Sequence, residues 1–496
     1  MKFIIKLFPE IIVKSKPVRK RLISQLKKNL RKILTPLNEN IEVVGSWDYL
    51  EVRMISSDTN LITESDSVEK SAVAQLAEDI LTRLKQTPGI DFILKVNTHP
   101  FESLDEIADI TVQTYAEEVK GKTFCVRVKR SGQHPFNSTQ IEQKAGGALL
   151  HNSEAKGVEL KSPEVKVQLE IRQNKLYTIE SRTPGLGGFP LGQQESCISL
   201  ISGGFDSSVA SYLMIKRGVR THFCFFNLGG MAHEVGVKQV AHYIWQKYSS
   251  SHRVLFITIP FEQVVSEILQ NVHHSQMGVI LKRMMMRVAE KVALEFNAPA
   301  IVTGECIGQV SSQTLTNLSV IDKATQAITL RPLIAMDKQE IISISRETGT
   351  EEFAASMPEY CGVISDKPTT CAKLERVEHE ESRFDFAVLE QAFAARRVEN
   401  IDELYQSKSN IDDIEVVSMP AKDDVIIDIR HPQEVVAKPM ILTNNQVIEI
   451  PFFKLQSAEN LNQDAQYLLY CDKGIMSQLQ AEELQQRGYQ VKVYQP

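Results

Sequence analysis

The chain has 496 residues, of which 43% are hydrophobic and 24% are charged, and these values are ordinary for a globular protein of several domains. No apolar run approaches the length of a membrane helix, and the first residues lack the apolar core and cleavage site of a signal peptide, so we expect no membrane partner. Seven cysteines in so long a chain, with no CxxC pair among them, indicate neither a disulfide framework nor a zinc site. The expected compartment is therefore the reducing cytoplasm.

The net charge of −6 hides an uneven distribution of charge along the chain. Eleven Lys or Arg residues and a single acid, Glu10, lie between Lys2 and Lys32, whereas residues 412–428 are acidic. Most of these cations share one predicted helix with interspersed apolar residues that would pack on a small sheet. A surface that faces an anion is slightly favoured over a helix face that is merely solvated.

A second basic surface is predicted within residues 76–182. Phe124, Val126 and Val128 alternate with basic residues, which is the pattern of a half-buried strand with a positively charged outer face. A plain amphipathic strand is the less favoured alternative. This stretch, with a predicted helix at 138–150 and a predicted strand at 165–171, resembles the THUMP domain of RNA-modifying enzymes.

The THUMP resemblance implies that this unit grips the acceptor end of tRNA. Contacts from Lys and Arg to phosphate would give an affinity that depends on salt and tolerates changes of sequence. The residues that we expect to contact RNA are Lys122, Arg127, Lys129, Arg130 and His134.

Residues 183–196 follow this unit, and they begin with the sequence TPGLGGFPLG. A stretch so rich in Gly and Pro predicts a linker. It is not a nucleotide-binding fingerprint, because no predicted strand leads into it.

The sequence Ser-Gly-Gly-Phe-Asp-Ser at residues 202–207 gives the clearest indication of chemistry. A short apolar run precedes it, as a buried parallel strand would, and a helix is predicted at 209–218. In a strand–turn–helix of this kind, the N–H groups at Gly203 and Gly204 and the helix start can surround a phosphate group. Asp206 lies where a carboxylate could hold Mg²⁺ against a polyphosphate.

This turn lacks the Gly-Lys-Ser/Thr of a P-loop and the G-x-G-x-x-G of a dinucleotide site. It resembles the pyrophosphate loop, or PP-loop, of ATP pyrophosphatases. The resemblance implies that ATP is cleaved between its α and β phosphates and that AMP is left on a carbonyl oxygen of the substrate. An ordinary strand–turn–helix capped by Ser is the less favoured alternative.

The pattern of strands and helices from residue 197 to about residue 349 predicts a doubly wound α/β sheet. Ligands of such sheets bind beyond the carboxyl ends of the strands. Three further residues are expected at that edge. They are Gly304 after a predicted strand, Gln313 in a polar stretch and Lys282 at the start of a predicted helix. Lys338 starts another predicted helix.

Cys361 lies in a predicted loop at 357–365 with no apolar periodicity that would bury it. Cys125 and Cys224, in contrast, lie in apolar strands and are expected to be packed. No role is indicated for Cys371. Cys361 is therefore the cysteine of this part of the chain that we consider for chemistry.

Cys471 follows a buried strand predicted at 466–470 and precedes a loop and a helix predicted at 478–488. The N–H groups of the loop and the helix start would stabilise a thiolate or persulfide anion. The region from residue 418 to the end resembles the rhodanese domain, in which such a cysteine carries sulfane sulfur. Met476 stands where many rhodaneses have Arg, which suits a protein sulfur donor better than thiosulfate. An inert structural thiol is the less favoured alternative.

Together these parts resemble the tRNA 4-thiouridine synthetase family over the whole chain. The resemblance implies an α/β multidomain protein with a ferredoxin-like N-terminal domain (1–75), a THUMP domain (76–182), a linker (183–196), a doubly wound PP-loop ATP-pyrophosphatase domain (197–400) and a rhodanese domain (418–496). The family uses ATP and Mg²⁺, with the metal expected on Asp206. The residues expected around the nucleotide are Leu200, Ile201, Ser202, Gly203, Gly204, Asp206, Ser207, Lys282, Gly304 and Gln313.

The family resemblance also implies a reaction. ATP adenylates O4 of uridine 8 in tRNA, with Lys338 assisting, and a cysteine desulfurase loads Cys471 with persulfide sulfur. Cys361 then attacks Cys471, or the disulfide joining Cys471 to the uridine, so that 4-thiouridine forms and a Cys361–Cys471 disulfide remains for a cellular disulfide reductant. A second sulfur route, to the sulfur-carrier protein for the thiamine thiazole, is implied as well. The oligomeric state stays open, with a homodimer as one option.

Two other functions remain open from the sequence. A PP-loop ligase acting on a small metabolite would not need the basic strand at 124–130. A sulfur-trafficking rhodanese that needs no ATP would not need the loop at 202–207.

Overall fold

The structure is a computed structural model of the chain. It describes residues 2–45, 49–55, 67–228, 230–357, 367–404, 414–430, 432–440, 445–455, 461–463, 465–471 and 475–496. The chain forms two compact units, Met1–Gln193 with Lys216–Gly218, and Gln194–Ile215 with Val219–Pro496.

The first unit contains one mixed sheet and its helices. Its elements are β1 (Lys2–Leu7), α1 (Pro9–Ile12), α2 (Lys16–Leu34), β2 (Ile41–Gly45), β3 (Tyr49–Met54), α3 (Ser67–Lys85), β4 (Ile90–Pro100), α4 (Leu104–Tyr115), β5 (Thr123–Ser131), α5 (Ser138–His151), β6 (Gly157–Val158), β7 (Val165–Arg172) and β8 (Lys175–Gly187). The strand order of the sheet is β2–β3–β1–β4–β8–β7–β5–β6.

Alternation along β1 decides which of its side chains meet the helices. Phe3 and Ile5 belong to the core that α2 and α3 cover, whereas Ile4 belongs to a separate apolar cluster, as expected for the opposite face of a strand. Helix α2 contributes Leu22, Leu26 and Leu30 to that core and leaves its Lys and Arg side chains exposed or partly exposed. A second core joins β5 and β7 to α4 and α5.

The domain boundary predicted at residue 75 falls inside helix α3. The β–α–β–β–α–β order of a ferredoxin-like module is complete only with β4, and β4 pairs with β1 on one side and with β8 on the other. One sheet therefore continues through both predicted modules. Local periodicity could not reveal this, because the β4–β8 pairing joins segments that are far apart in the sequence.

The predicted linker at 183–196 is wrong for its first part, because residues up to Gly187 form the end of β8 and pair with β4. Pro184 lies where β8 pairs with β4 alone, because β7 pairs with only the first residues of β8, and proline is found at such edges of a sheet. Phe189 and Leu191 are buried, and the Leu191 carbonyl accepts a hydrogen bond from Asn29 Nδ2 at 3.0 Å.

The second unit contains two sheets. The elements of its larger part are β9 (Ser196–Leu200), α6 (Phe205–Lys216), β10 (Arg220–Asn227), α7 (Gly230–Tyr248), β11 (Leu255–Pro260), α8 (Glu262–Asn271), α9 (Met277–Glu295), β12 (Ala300–Val302), α10 (Leu315–Asp322), β13 (Ile328–Leu330), α11 (Lys338–Thr348), α12 (Glu351–Ser356), α13 (Leu374–Glu381), α14 (Phe386–Ala394) and β14 (Arg397–Asn400), with single 3₁₀ turns at Ser311–Gln313 and Ile401–Glu403.

The larger sheet has the order β13–β12–β9–β10–β11–β14, and all its neighbours are parallel except β14, which is antiparallel to β11. Neighbouring residues of one strand enter different cores. Ile198 packs in the core of α8, α9 and α13, whereas Cys197 packs in the core that includes α6 and α11. Both faces of the sheet are therefore covered, and the predicted doubly wound α/β architecture is confirmed.

The smaller sheet of the second unit is entirely parallel, with the order β15–β19–β18–β16–β17. Its elements are β15 (Val416–Val417), β16 (Val425–Asp428), α15 (Pro432–Ala437), β17 (Gln446–Glu449), α16 (Phe452–Leu455), β18 (Gln466–Tyr470), α17 (Ile475–Gln486) and β19 (Gln490–Tyr494). We call these elements the C-terminal module. No helix among the residues that the structure describes is both long and apolar enough to cross a bilayer.

Three helices begin earlier than the sequence pattern predicts. Helix α6 begins at Phe205 instead of 209, and α17 begins at Ile475 instead of 478. Helix α9 begins at Met277, so Lys282 lies within the helix and does not open it. Met284 and Met286 of α9 are buried in the core, as the sequence predicts.

A buried histidine links two strands of the larger sheet. His222 of β10 is almost completely buried, and its Nδ1 accepts a hydrogen bond from the Leu255 backbone N–H at 2.9 Å. Burial, with a smaller effect of Arg220, lowers the pKa of His222 from 6.5 to about 4. The imidazole is therefore neutral in the folded chain where the unfolded chain would bind a proton.

We predict that replacing His222 with Asn flattens the stability of the second unit between pH 6.5 and pH 4. The wild-type contribution is complete above pH 6.5 and falls as the pH falls towards 4, because only the unfolded state takes up the proton in that window. The shift corresponds to about 3 kcal/mol at about 1.36 kcal/mol per pKa unit. Urea-unfolding midpoints measured at several pH values test this prediction. His151→Asn, at an exposed histidine, is the control. An unchanged pH slope in His222→Asn would contradict the assignment.

Candidate active site

The loop between β9 and α6 is a tight glycine turn that leads directly into the helix start. Gly203 has a φ of +84°, a left-handed conformation in which a side chain would be strained. The Gly204 carbonyl accepts hydrogen bonds from the Ser208 N–H at 3.2 Å and from the Ser207 and Ser208 hydroxyls at 3.2 and 2.9 Å. Ser207 Oγ also accepts the Ser202 N–H at 3.2 Å. These contacts fix the turn at the start of α6, where the helix carries partial positive charge.

Strand β9, which leads into the loop, pairs with β10. Leu200 pairs with Cys224, and the Ile201 N–H donates to the Cys224 carbonyl at 2.9 Å. Ile201 is buried, whereas Ser202 is exposed. The loop thus starts at the carboxyl end of a central parallel strand, which is where the sequence predicts a ligand site.

Gly304, two residues after β12, lies against the start of α6. A Cβ at position 304 would be 2.6 Å from the carbonyl carbon of Asp206 and 2.7 Å from the amide nitrogen of Ser207. No side chain fits in that space, so position 304 must be glycine for β12 and the loop to approach this closely. The structure thus brings Gly304 against the loop, and its place at a nucleotide stays a prediction.

Asp206 is the point at which three segments meet. Its Oδ1 accepts a hydrogen bond from Lys338 Nζ at 2.8 Å, and its Oδ2 accepts one from Gln309 Nε2 at 2.8 Å. Lys338 is the first residue of α11, and the preceding Asp337 forms a capping box with Glu340 that fixes this helix start. The structure therefore brings Asp206 and Lys338 together, and it adds Gln309, which the sequence reasoning did not single out.

Lys282 lies beside a buried acid at the same edge of the sheet. Its Nζ is 2.7 Å from Glu305 Oε1, and Arg331 Nε is 2.9 Å from Glu305 Oε2. Burial opposes ionisation of Glu305, but Lys282 and Arg331 outweigh it and hold the pKa of this carboxyl below its ordinary value. Asp322 in turn binds the Arg331 guanidinium through both carboxylate oxygens.

Gln313 forms hydrogen bonds within the segment that carries Gln309. Its backbone carbonyl accepts the Gly308 N–H at 3.0 Å, and its side-chain oxygen accepts the Cys306 N–H at 3.4 Å. The structure thus gives Gln313 a role in shaping the loop. Burial, with a smaller effect of Asp206, raises the pKa of the Cys306 thiol, whose Sγ donates to the Leu333 carbonyl. A raised pKa keeps this thiol protonated and unreactive.

Cys471 lies at the end of β18 in the C-terminal module. The residue is buried, and its Sγ accepts a hydrogen bond from the Ser477 backbone N–H, at the start of α17, at 3.4 Å. At the end of the neighbouring strand β16, Arg430 binds Asp428 through Nε and Nη2 and lies 5.0 Å from the centre of the Tyr470 ring. The structure thus places an N–H from a helix start against this sulfur. Cys361 lies outside the described residues.

The predicted RNA-contacting residues divide into two groups. Lys122 and Lys129 are exposed. Arg127 instead donates to the Leu160 carbonyl at 2.9 Å, and Arg130 and His134 contact each other at 3.0 Å. His134 Nε2 also lies 2.7 Å from the Gln173 carbonyl oxygen. The second group therefore holds the surface of this unit together, and the first is directed to solvent.

The burial pattern of β5 differs in part from the predicted alternation. Cys125 is buried together with Phe124 and Val126, whereas Val128 is only partly buried. Successive side chains of a strand point to opposite faces, so both faces of β5 are covered at its start, and Cys125 is packed as expected. The exposed position of Lys129 agrees with the prediction.

A doubly wound sheet with a Ser-Gly-Gly-Phe-Asp-Ser turn at the end of a central strand defines a PP-loop protein, and the first unit carries a THUMP domain. The family model described as "Thiamine biosynthesis protein (ThiI)" matches residues 192–386, and the model of the THUMP domain matches residues 101–178.

Two similar proteins named tRNA sulfurtransferase come from Marinobacter nauticus (48% identical over 498 residues) and Shewanella amazonensis (50% over 499 residues), and each match covers 100% of both chains. A solved structure described as a 4-thiouridine synthetase–RNA complex with bound ATP is 26% identical, with a TM-score of 0.66, and the match covers 80% of this chain and 99% of that one. The chain belongs to the tRNA sulfurtransferase family.

We predict that Gly304→Ala disturbs the loop, because the added methyl group would overlap the Asp206–Ser207 backbone. An overpacked site of this kind costs about 1–3 kcal/mol. Thermal unfolding and amide hydrogen exchange at Ser208 measure the change. Gly147→Ala is the matched control, since a Cβ there meets nothing within 4 Å. Equal melting temperatures and equal exchange in the two variants would contradict the close packing.

Proposed function

We propose that this chain is an ATP-dependent tRNA sulfurtransferase that converts uridine 8 of tRNA into 4-thiouridine. The observation that carries the proposal is the position of Asp206, which lies at a PP-loop and between Lys338 and Gln309. Family membership supports the tRNA substrate, and the similar solved structure holds both RNA and ATP.

The chemistry explains why a nucleotide is needed. The C4 carbonyl of uracil is a poor electrophile, and its oxygen is a poor leaving group. Transfer of AMP from ATP to O4 releases pyrophosphate and converts that oxygen into part of a good leaving group. The loop N–H groups around Gly203 and Gly204 would stabilise the negative charge of the departing pyrophosphate.

Asp206 suits a magnesium ion, because Mg²⁺ is usually held by one or two carboxylates together with substrate phosphates. When bound there, the ion would neutralise charge on the pyrophosphate. One carboxylate oxygen of Asp206 would have to exchange Gln309 or Lys338 for the ion. Where the ion replaces Lys338, the ammonium group would be free to donate to a phosphate oxygen, which is the role that family resemblance implies for it.

Sulfur delivery is assigned to the C-terminal module, as a rhodanese-like carrier. A cysteine desulfurase would transfer sulfane sulfur to Cys471, giving Cys471–S–S⁻. The terminal sulfur attacks C4 of the adenylated uridine, the C4–O bond breaks, and AMP leaves with the oxygen. The result is a disulfide between Cys471 and the uridine.

A second thiol is needed to release the product. The Cys361 thiolate attacks Cys471 Sγ, the bond between the two sulfurs breaks, and 4-thiouridine leaves as its thiolate. In the alternative order, Cys361 attacks the persulfide first and expels hydrosulfide, which then attacks C4. Both orders leave a Cys361–Cys471 disulfide, and a cellular reductant must supply two electrons to restore the thiols. The need for a reductant fits a reducing cytoplasm. The same Cys471 persulfide would also transfer sulfur to the sulfur-carrier protein for the thiamine thiazole.

The first unit would hold tRNA through its basic surfaces. Helix α2 carries a row of exposed Lys and Arg side chains, and Lys122 and Lys129 are exposed on and beside β5. Such contacts to phosphate position an RNA without reading its sequence. The domain division into ferredoxin-like, THUMP, PP-loop and rhodanese modules remains part of this proposal.

We predict that Asp206→Asn abolishes thiolation and leaves tRNA binding and sulfur loading of Cys471 intact. Loss of a preorganised charged group at the reacting phosphates costs roughly 100-fold or more in rate. The assay follows the 4-thiouridine absorbance of tRNA incubated with protein, ATP, Mg²⁺, cysteine and a desulfurase.

Asp423→Asn, at an exposed aspartate of the same unit, is the control and should behave as wild type. Thiolation by the wild type without ATP would instead favour a sulfur carrier that needs no nucleotide. ATP turnover that ignores tRNA would favour a ligase of small metabolites.

We predict that the double substitution Lys122→Ala with Lys129→Ala weakens tRNA binding and makes its dependence on salt shallower by about one to two units in a log–log plot. Filter binding at several salt concentrations measures both values. Lys422→Ala, at an exposed lysine of the C-terminal module, is the control. A slope equal to that of the wild type would remove the two lysines from the RNA surface.

A further inference from the structure

A methionine side chain rests directly on the PP-loop. Met357 follows helix α12, and its Cγ and Sδ would lie 3.1 and 3.2 Å from a Cβ placed on Gly203. Gly203 is thus needed both for its left-handed backbone and for the space that this thioether fills. Nothing in the sequence pattern pointed to Met357 as part of the site.

A second glycine, Gly236, also leaves space for the Met357 side chain. Gly236 lies within helix α7, and a Cβ there would be 2.4 Å from Met357 Cε and 3.1 Å from its Sδ. Glycine inside a helix costs about 0.5–1 kcal/mol relative to alanine. A seat for Met357 explains why this helix carries glycine at that position.

Helix α12 also contacts the C-terminal module, through Phe353. Phe353 is completely buried, and its ring centre lies 5.1 Å from that of Tyr243 in α7 and 5.2 Å from that of Phe452 in α16. We call these three residues the aromatic contact. Ring pairs at such distances attract each other beyond the burial of their area. Burial, and after it the carboxylates of Glu434 and Glu352, raises the pKa of Tyr243, which agrees with an interior position beside the C-terminal module.

Phe452 is connected to the sulfur-carrying strand by two backbone hydrogen bonds. Its N–H donates to the Ile429 carbonyl at 2.9 Å, and the Ile429 N–H donates to the Tyr470 carbonyl at 3.0 Å. Tyr470 is the residue before Cys471. The ring contact between Phe353 and Phe452 is therefore connected, through these two hydrogen bonds, to the backbone next to Cys471.

We propose that α12 is a positioning element that docks the C-terminal module onto the PP-loop part of the second unit, with Phe353 gripping Phe452 and Met357 resting on the loop. This inference rests on the proposed function, since it assigns the docked arrangement a role in sulfur transfer from Cys471. Docking raises the local concentration of the persulfide at the adenylated base and so accelerates that one step. Loading of Cys471 and adenylation take place without it.

The first test uses full-length protein whose Cys471 has been loaded with ³⁵S by a desulfurase. ATP, Mg²⁺ and tRNA are then added, and the transfer of label to tRNA is followed in a single turnover. Phe353→Ala should slow transfer at least fivefold, the equivalent of about 1 kcal/mol of ring contact. Its rates of Cys471 loading and of tRNA-dependent pyrophosphate release should equal those of the wild type.

Phe386→Ala is the matched control, because Phe386 is an exposed phenylalanine of the same unit that packs on Phe384 and Arg287 instead. Transfer at the wild-type rate, or faster, in Phe353→Ala would overturn the inference. If wild-type protein itself gave no labelled tRNA, the proposed function would fail before this inference is reached.

A double-mutant cycle keeps the test informative if Phe353→Ala does not fold. Met357→Ala should slow transfer, and Gly236→Ala should slow it less, because its methyl group displaces the flexible end of the methionine. In the Met357→Ala background, Gly236→Ala should have no further effect on the rate, since the group it displaces is gone. Additive effects of the two substitutions would show that they do not act through a shared seat.

Discussion

One carboxylate, that of Asp206, ties three separate segments of the second unit to a single point. It lies in the first turn of α6 and binds Lys338 from the start of α11 and Gln309 from the segment after β12. These residues are far apart in the sequence, and they meet because β9 and β12 are neighbouring parallel strands whose carboxyl ends share one edge. Without that strand order, the loop at Gly203 would be a glycine turn with no chemistry around it.

The other charged side chains near Asp206 are also paired with partners from separate segments. Glu305 is buried and ionised because Lys282 and Arg331 both contact it, and removal of either cation would leave a costly buried charge. Lys282 and Arg331 therefore both have an acidic partner within the protein at this edge of the sheet. The Cys471 thiol has a different surrounding, since its Sγ accepts an N–H from the start of α17. The proposed reaction needs both places, the turn for phosphate and the thiol for sulfur.

The sequence predicted the features that depend on local geometry. The turn at 202–207 could be found because a phosphate loop needs its glycines, acid and flanking strand within a few residues, and the strand before Cys471 could be found from its short apolar run. Glu305, Arg331 and Gln309 were missed because their partners are set by strand order, which periodicity does not reveal. The boundary at residue 75 and the linker at 183 were misplaced for a related reason, since the pairing of β4 with β8 overrides local composition.

In the proposed reaction, a nucleotide-activated oxygen and a sulfur-loaded Cys471 meet over one base. The most direct measurement loads the protein with ³⁵S, removes the desulfurase and free cysteine, and adds tRNA with ATP and Mg²⁺ or without ATP. We predict that label leaves Cys471 and appears as 4-thiouridine at position 8 only when ATP is present, and that Cys471→Ser protein carries no label to transfer. Label that reaches tRNA without ATP, or tRNA that is thiolated by the Cys471→Ser protein, would contradict it.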